Sequence, residues 1–236
     1  MLPIDVIDHP DAPHPALPAA TVVLARDGDG GLEVLLIHRG AATAFGGMWA
    51  FPGGVVEGGD VPPGTAPDPL PAARRAAVRE ALEEVGLLIE ESSLVWWSHW
   101  LPPTAAPRRF STWFFLAPAV DAHDDVGIDG AEVRDHRWVT PAGALAAQAR
   151  GEITLAPPTF VTLHQLARHP DVRSALAAAA PFHFATQLAV DDGGVRMCLF
   201  AGDVGYGDGD AGADGPRHRV VMDDDGGWRY LNTVQE

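Results

Sequence analysis

The residues best placed to do chemistry lie in Arg79-Glu80-Ala81-Leu82-Glu83-Glu84-Val85-Gly86-Leu87. On a helix, Glu80, Glu83 and Glu84 stand at i, i+3 and i+4 and turn three carboxylates to one side. Like charges at that spacing repel and raise one another's pKa unless a cation intervenes. A divalent ion reverses both effects. Mg²⁺ takes oxygen ligands and usually keeps waters, leaving positions for substrate phosphate oxygens. The other reading of the same run is a solvated acidic helix face. Upstream, Gly53-Gly54 gives a loop whose backbone can approach a ligand closely, with carbonyls free to coordinate.

Several elements must position these groups. Asp68-Pro69 reads as an N-cap followed by proline in the first turn, opening a helix from about Pro69 to Val85. Ala77, Val78, Ala81, Leu82 and Val85 form its apolar stripe, and Gly86 ends it. Ahead of it, residues 61–71 carry five prolines and read as a loop. The runs Ala20–Ala25 and Leu32–His38, around Asp27-Gly28-Asp29-Gly30-Gly31, predict a β-hairpin. Strands are expected at 94–101, 111–120 and 136–140, the Trp-rich first being ambiguous. Helices are expected at Pro141–Ala149, Pro158–Ala167 and Asp171–Ala180. The tail reads as strands at 185–190, 195–200 and 218–222, and residues 1–18 as an arm.

Composition narrows the function. The 236 residues are 47% hydrophobic and 20% charged, as in an ordinary globular protein. Lys plus Arg total 16 against 32 Asp plus Glu, a net charge of −16. Such a surface repels phosphate backbones and anionic membranes, so neither nucleic acid nor membrane is an expected partner. A polyanionic substrate would instead need a cation held by the carboxylates. The single cysteine, Cys198, sits in an apolar run and reads as packing. With no internal disulfide, a reducing, cytoplasmic setting is expected. No apolar run approaches the length of a membrane span, and the acidic N-terminus does not resemble a signal peptide.

Taken together, Gly54, Asp60, Arg79, Glu80, Glu83, Glu84, Gly86 and Leu87 resemble the signature of the Nudix hydrolase superfamily. That signature reads G, five residues, E, seven residues, then R-E-U-x-E-E-x-G-U, with U a bulky aliphatic. Phe51-Pro52-Gly53-Gly54 is also typical of it. There are three departures. Asp60 stands where the family has Glu, Ala81 stands at a usually larger aliphatic position, and 18 residues (61–78) rather than seven separate Asp60 from Arg79. The extra segment is the proline-rich loop, where lengthening costs little closure entropy. An interrupted box of this kind resembles the peroxisomal-type coenzyme A diphosphatases and their bacterial relatives. Trp97-Ser98-His99-Trp100-Leu101-Pro102-Pro103 is similar to that subgroup's W-S-x-W-L-T-P. Arg108-Arg109-Phe110-Ser111-Thr112-Trp113-Phe114 is similar to its R-R-F-D-T-x-F, and Glu152 to Phe160 to its E-x-x-L-A-P-P-x-F.

The resemblance implies a Nudix α/β/α sandwich with a mixed β-sheet over residues 19–165. A C-terminal extension, 166–236, would pack on the same domain and complete either the sheet or a dimer interface, which leaves a homodimer open. The implied reaction is metal-dependent hydrolysis of a diphosphate in a nucleoside-diphosphate-linked small molecule. The best expectation is coenzyme A or an acyl-coenzyme A, giving 3′,5′-ADP and 4′-phosphopantetheine. ADP-ribose or an NADH-type dinucleotide is the alternative substrate. A non-catalytic Nudix-fold ligand-binding regulator is the alternative of another class. Glu80 and Glu84 would ligate Mg²⁺ or Mn²⁺, with Glu83 a ligand or base and the Gly53 carbonyl a further ligand. Arg79 would orient a glutamate, and Gly54 would border the substrate. Glu132 is expected as a further ligand or general base, or else as a surface charge. Arg39, Arg108 and Arg109 suit substrate phosphates, or ordinary ion pairs. Trp96, Trp97, Trp100 and Trp113 would stack an adenine or line a pantetheine channel, or else pack in the core, the latter for at least two of them.

Overall fold

The computed structural model describes residues 15–41, 45–62, 69–106, 108–119, 126–127, 132–223 and 227–234. Most of the expected N-terminal arm, residues 63–68 of the proline-rich loop and the expected Asp68 cap lie outside the described residues.

β1 (Leu17–Gly28) and β2 (Gly31–Arg39) form the expected antiparallel hairpin, with Gly28 opposite Gly31. The glycine loop yields two short strands, β3 (Trp49–Ala50) on β2 and β4 (Gly53–Val55) on β1. A 3-10 turn at Gly58–Asp60 precedes α1 (Pro69–Val85). Then come β5 (Val95–Leu101), β6 (Phe110–Pro118), β7 (Val133–Val139), α2 (Pro141–Ala149), α3 (Pro157–Leu166) and α4 (Val172–Ala177). β8 (Phe182–Ala185), β9 (Gln187–Val190), β10 (Arg196–Leu199), β11 (His218–Met222) and β12 (Trp228–Asn232) complete the chain.

The larger sheet runs β3-β2-β1-β6-β5-β8, with β4 also on β1 and β7 also on β2. It is mixed: β1–β6 and β5–β8 are parallel, while β1–β2 and β5–β6 are antiparallel. A second, antiparallel sheet runs β12-β11-β10-β9.

β1 and β2 are apolar on both faces because both faces are covered. Ala20, Val22, Leu24, Leu35 and Ile37 meet Ala73, Ala76, Ala77, Ala81 and Val85 of α1. The opposite face, with Val23, Ala25, Val34 and Leu36, packs on Phe160, Leu163 and Leu166 of α3 and on Cys198, Phe200, Val220 and Met222 of the second sheet. This layering is the mixed α/β sandwich that the sequence implies. Each large aliphatic or aromatic side chain so buried contributes about 1.5–3 kcal/mol. The alanine stripe of α1 lets that helix lie close over β1 and β4, and Ala81 belongs to this contact.

α1 stops where expected. Gly86 has φ +69°, its N–H donates to the Leu82 carbonyl (3.0 Å), and the Leu87 N–H donates to the Ala81 carbonyl (3.3 Å). The Gly86 bond, with Gly86 in the left-handed conformation, is that of an αL C-cap. α4 is shorter than the expected Asp171–Ala180. Asp171 caps it by accepting from the Ser174 N–H (2.7 Å), but Pro181 disfavours helix at the residue before it. Burial pushes the Cys198 thiol up to about 12, in keeping with a packing role. Among the described residues, no helix is long and apolar enough to cross a membrane.

Candidate active site

β4 lies beside β1, with Gly54 opposite Ala20 and Gly53 opposite Thr21. Glu80 projects from α1 directly onto Gly54: a Cβ there would sit 2.2 Å from Glu80 Oε1. At Gly53 a Cβ would sit 2.4 Å from the Ala20 carbonyl oxygen. Close approach, not loop flexibility, therefore requires both glycines.

The Arg79 guanidinium ties the acidic groups together. Its Nε and Nη2 donate to Asp60 Oδ1 (3.2 Å) and Oδ2 (3.0 Å). Nη1 donates to Glu80 Oε1 (2.8 Å) and Glu83 Oε2 (2.9 Å), and Nη2 also to the Val55 carbonyl (2.9 Å). Asp60 is only 5% exposed and accepts from the Glu57 N–H (2.8 Å). The bond to Asp60 is the foremost reason that Arg79 holds its proton more firmly than an ordinary arginine. Asp60 thus anchors Arg79 despite the long insertion between them.

Glu84 forms the second knot. Its Oε2 accepts from the Gly53 N–H (2.8 Å), and its Oε1 lies 3.0 Å from Arg39 Nη2. No donor is aligned on Oε1, so that contact is charge attraction without a directed hydrogen bond. Arg39 Nη1 donates to the Gly53 carbonyl (3.0 Å). Burial pushes the Glu84 carboxyl up to about 7; Arg39 and the Gly53 N–H pull it down, while Glu80 and Glu132 push it further up. Burial also raises Glu80, against the pull of Arg79.

Glu132 is exposed at the start of β7, and its carbonyl accepts from the Gly40 N–H (2.7 Å) just after β2. Its charge is felt at Glu84. The structure therefore brings together Arg39, Gly53, Gly54, Arg79, Glu80, Glu83, Glu84 and Glu132. Their engagements differ from expectation in places. The Gly53 carbonyl, expected to face a metal, accepts from Arg39. Arg39, expected at substrate phosphates, is held by Glu84 and Gly53. Among the described residues, no three His, Cys, Asp or Glu side chains form a metal-holding group; the glutamates are shared out between two arginines instead.

The remaining candidates lie elsewhere. Arg108 is exposed, and Arg109 donates to the Pro102 carbonyl (3.1 Å), both just ahead of β6. Trp100, expected at the substrate, is 3% exposed and stacked on Phe184 at 4.0 Å and 4°. It belongs to the core on the face opposite α1, as does Trp97. Sequence reasoning did not assign a role to Asp60 or to the Val55 carbonyl. The spacing of Asp60 from the glycine loop was its only signal.

The chemistry of the donor set fits a hard divalent cation. Glu80, Glu83 and Glu84 offer only carboxylate oxygens. Burial penalises the charged forms of Glu80 and Glu84, and a cation would relieve that penalty.

A glycine strand beneath a helix that carries three glutamates and a clamped arginine, on a mixed sheet covered on both faces, defines the class. The NUDIX domain family matches residues 16–159, and the chain belongs to that family. It is 26% identical over 175 residues to the putative nudix hydrolase 7 of Caenorhabditis elegans. That alignment covers 59% of this chain and 57% of the relative, so the chain spans less than two thirds of the relative's length. The crystal structure of a NUDIX hydrolase from Alicyclobacillus acidocaldarius is similar in fold. Its TM-score is 0.60 at 24% identity, over 70% of this chain and 97% of that one.

Proposed function

We propose that the chain is a divalent-metal-dependent pyrophosphohydrolase that cleaves the diphosphate of a nucleoside-diphosphate-linked small molecule, with coenzyme A or an acyl-coenzyme A as substrate. The observation that carries this reading is the approach of Glu80 to Gly54 and of Glu84 to Gly53, with Glu83 tied to Glu80 through Arg79. The similarity of Trp97–Pro103, Arg108–Phe114 and Glu152–Phe160 to the coenzyme A diphosphatase subgroup supports the substrate.

The residues divide the work. The glycines let Glu80 lie directly on β4 and β4 lie close against β1, which sets where the carboxylates stand. Arg79 fixes the rotamers of Glu80 and Glu83 through charge-assisted hydrogen bonds, and Asp60 fixes Arg79. Mg²⁺ or Mn²⁺ held by Glu80, Glu83 and Glu84 would polarise the phosphoryl oxygens and lower the pKa of a water. Glu132, which is exposed and whose charge reaches Glu84, would accept the proton of the attacking water. With a net charge of −16 the protein contributes little positive field of its own.

A panel of coenzyme A, acetyl-coenzyme A, ADP-ribose and NADH, assayed with Mg²⁺ and with Mn²⁺ and with products identified, tests the reading. The expected result is fastest turnover of the coenzyme A substrates, releasing 3′,5′-ADP. Preference for ADP-ribose or NADH would keep the reaction and replace the substrate. A panel without turnover would leave a ligand-binding regulator.

A further inference from the structure

His99 of β5 and His183 of β8 form a pair that the carboxylate site does not use. They are register partners on parallel strands, so their side chains rise on the same face of the larger sheet. Their Nδ1 atoms lie 3.1 Å apart. A hydrogen bond accounts for that contact when one of the two Nδ1 atoms carries the proton. The same separation also suits a shared metal ion. With Zn–N bonds of about 2.0–2.1 Å, two nitrogens 3.1 Å apart subtend about 95–100° at the metal, between an octahedral and a tetrahedral angle. The ion would take the place of the shared hydrogen, which His183 can carry on Nε2 instead.

The surroundings favour a ligating pair. His99 Nε2 meets Ser111 Oγ at 2.8 Å, and with the Nε2–H donated there the Nδ1 lone pair is left for a ligand. An outer partner of this kind fixes ring and tautomer in histidine-ligated metal sites. The rings are packed as well: His99 lies 4.4 Å from Trp113 and His183 lies 5.3 Å from Trp96. Burial, and then the neighbouring His183, hold His99 below the usual histidine range, which favours the neutral imidazole that binds metals. Entry is open, because β8 ends the strand order of the larger sheet and His183 is exposed. A net charge of −16 draws cations to the surface. Imidazole nitrogens suit Zn²⁺ or Cu²⁺, whereas Mg²⁺ prefers oxygen.

We propose that His99 and His183 form a two-histidine site for a borderline divalent ion, Zn²⁺ or Cu²⁺, with water at the remaining positions. The site is separate from the α1 carboxylates, which present oxygen to a hard ion while this pair presents nitrogen to a softer one. The bound ion clamps β8, which follows the family-matched residues 16–159, to β5 within them.

Titration of the full chain and of His183→Ala with Cu²⁺, near neutral pH and in excess Mg²⁺ to keep the α1 carboxylates engaged, tests it. Tryptophan fluorescence reports binding, since Trp96 and Trp113 lie against the two imidazoles. Electron paramagnetic resonance reports the ligand atoms. The expected result is quenching of the unaltered chain with a spectrum split by imidazole nitrogen, and an affinity at least about tenfold lower in His183→Ala, the least that loss of even an outer partner usually costs. Zn²⁺ should likewise raise the Tm of the unaltered chain and not that of His183→Ala. His183 is exposed, so its replacement leaves the fold readable by circular dichroism. Equal Cu²⁺ affinity in the two chains, or a spectrum of oxygen ligands alone, would overturn the proposal and leave the pair a hydrogen bond only. Neither outcome bears on the diphosphatase, which is read from Mg²⁺-dependent turnover.

Discussion

Arg79 and Arg39 hold apart three glutamates that would otherwise repel across little more than one helical turn. The facing carboxylates and the bare glycines were legible from residue spacing alone. The engagement of Arg39 was not, because its partners, Gly53 and Glu84, are distant in sequence and meet only when β4 slides beneath α1. Gly54 offers the sharpest test at this scale. In Gly54→Ala the methyl group would displace the Glu80 carboxylate, which is the movable end of a side chain. Stability should change little, while kcat should fall on the order of 100-fold, as a misplacement near 1 Å can cost. Steady-state kinetics beside a melting curve checks this; unchanged kcat would show that Glu80 need not stand there.

α1 was legible at both ends, since proline in its first turn and glycine just past its last are local signals. The hairpin β1–β2 was legible for the same reason. β3 and β4 were hidden in a glycine-rich loop whose strand character comes from its neighbours. β8 was missed because its parallel partner, β5, lies far away in sequence. The insertion leaves Asp60 in contact with Arg79 because a loop can lengthen between two fixed ends at small entropic cost. At Gly86 a Cβ would have room, its nearest neighbour being 3.4 Å away, so the cost of Gly86→Ala is purely conformational. It should destabilise by about 1–2 kcal/mol, the penalty of a left-handed L-residue, and lower Tm by about 2–8 °C. Thermal unfolding decides; an unchanged Tm would mean that the cap contributes nothing.

The whole molecule depends on its second sheet, whose Cys198, Phe200, Val220 and Met222 complete the core behind the larger sheet. A buried ion pair braces it. Arg219 Nε and Nη2 bond both oxygens of Asp203 (2.7 and 2.5 Å), and the His218 and Gly205 N–H groups donate to the same carboxylate. Asp203→Ala would leave Arg219 charged and buried, costing about 3–5 kcal/mol, and should lower Tm by about 6–20 °C. Acid should act on the same region. Burial works against charged Asp203, but Arg219 and the two N–H groups outweigh it and hold it below the ordinary range. Burial also holds His218 low, against its bond to the Ala201 carbonyl and the charge of Asp203. Both groups are depressed in the folded state. The His218 contribution is therefore full above about pH 6.5, that of Asp203 above about pH 3.9, and each is lost as pH falls through the lower folded value. Glu84, raised to about 7, and Glu80, also raised, gain stability as pH falls over the same window and act in the opposite direction, so the sign is read in the Glu80→Gln/Glu84→Gln double variant. Its melting curves from pH 7.5 downward should show Tm declining first below about pH 6.5 and again in the acid range, and a Tm of that variant that rises between pH 6.5 and 5 would contradict this sign.

The central claim is that the α1 glutamates act with a divalent ion on a diphosphate. It is tested most directly by the rate of coenzyme A hydrolysis against Mg²⁺ concentration, for the unaltered chain and for Glu84→Gln, with circular dichroism recorded on both. The rate should rise with Mg²⁺, vanish with chelator and fall at least about 100-fold in a folded Glu84→Gln. A rate indifferent to chelator, or a Glu84→Gln variant as fast as the parent, would contradict it.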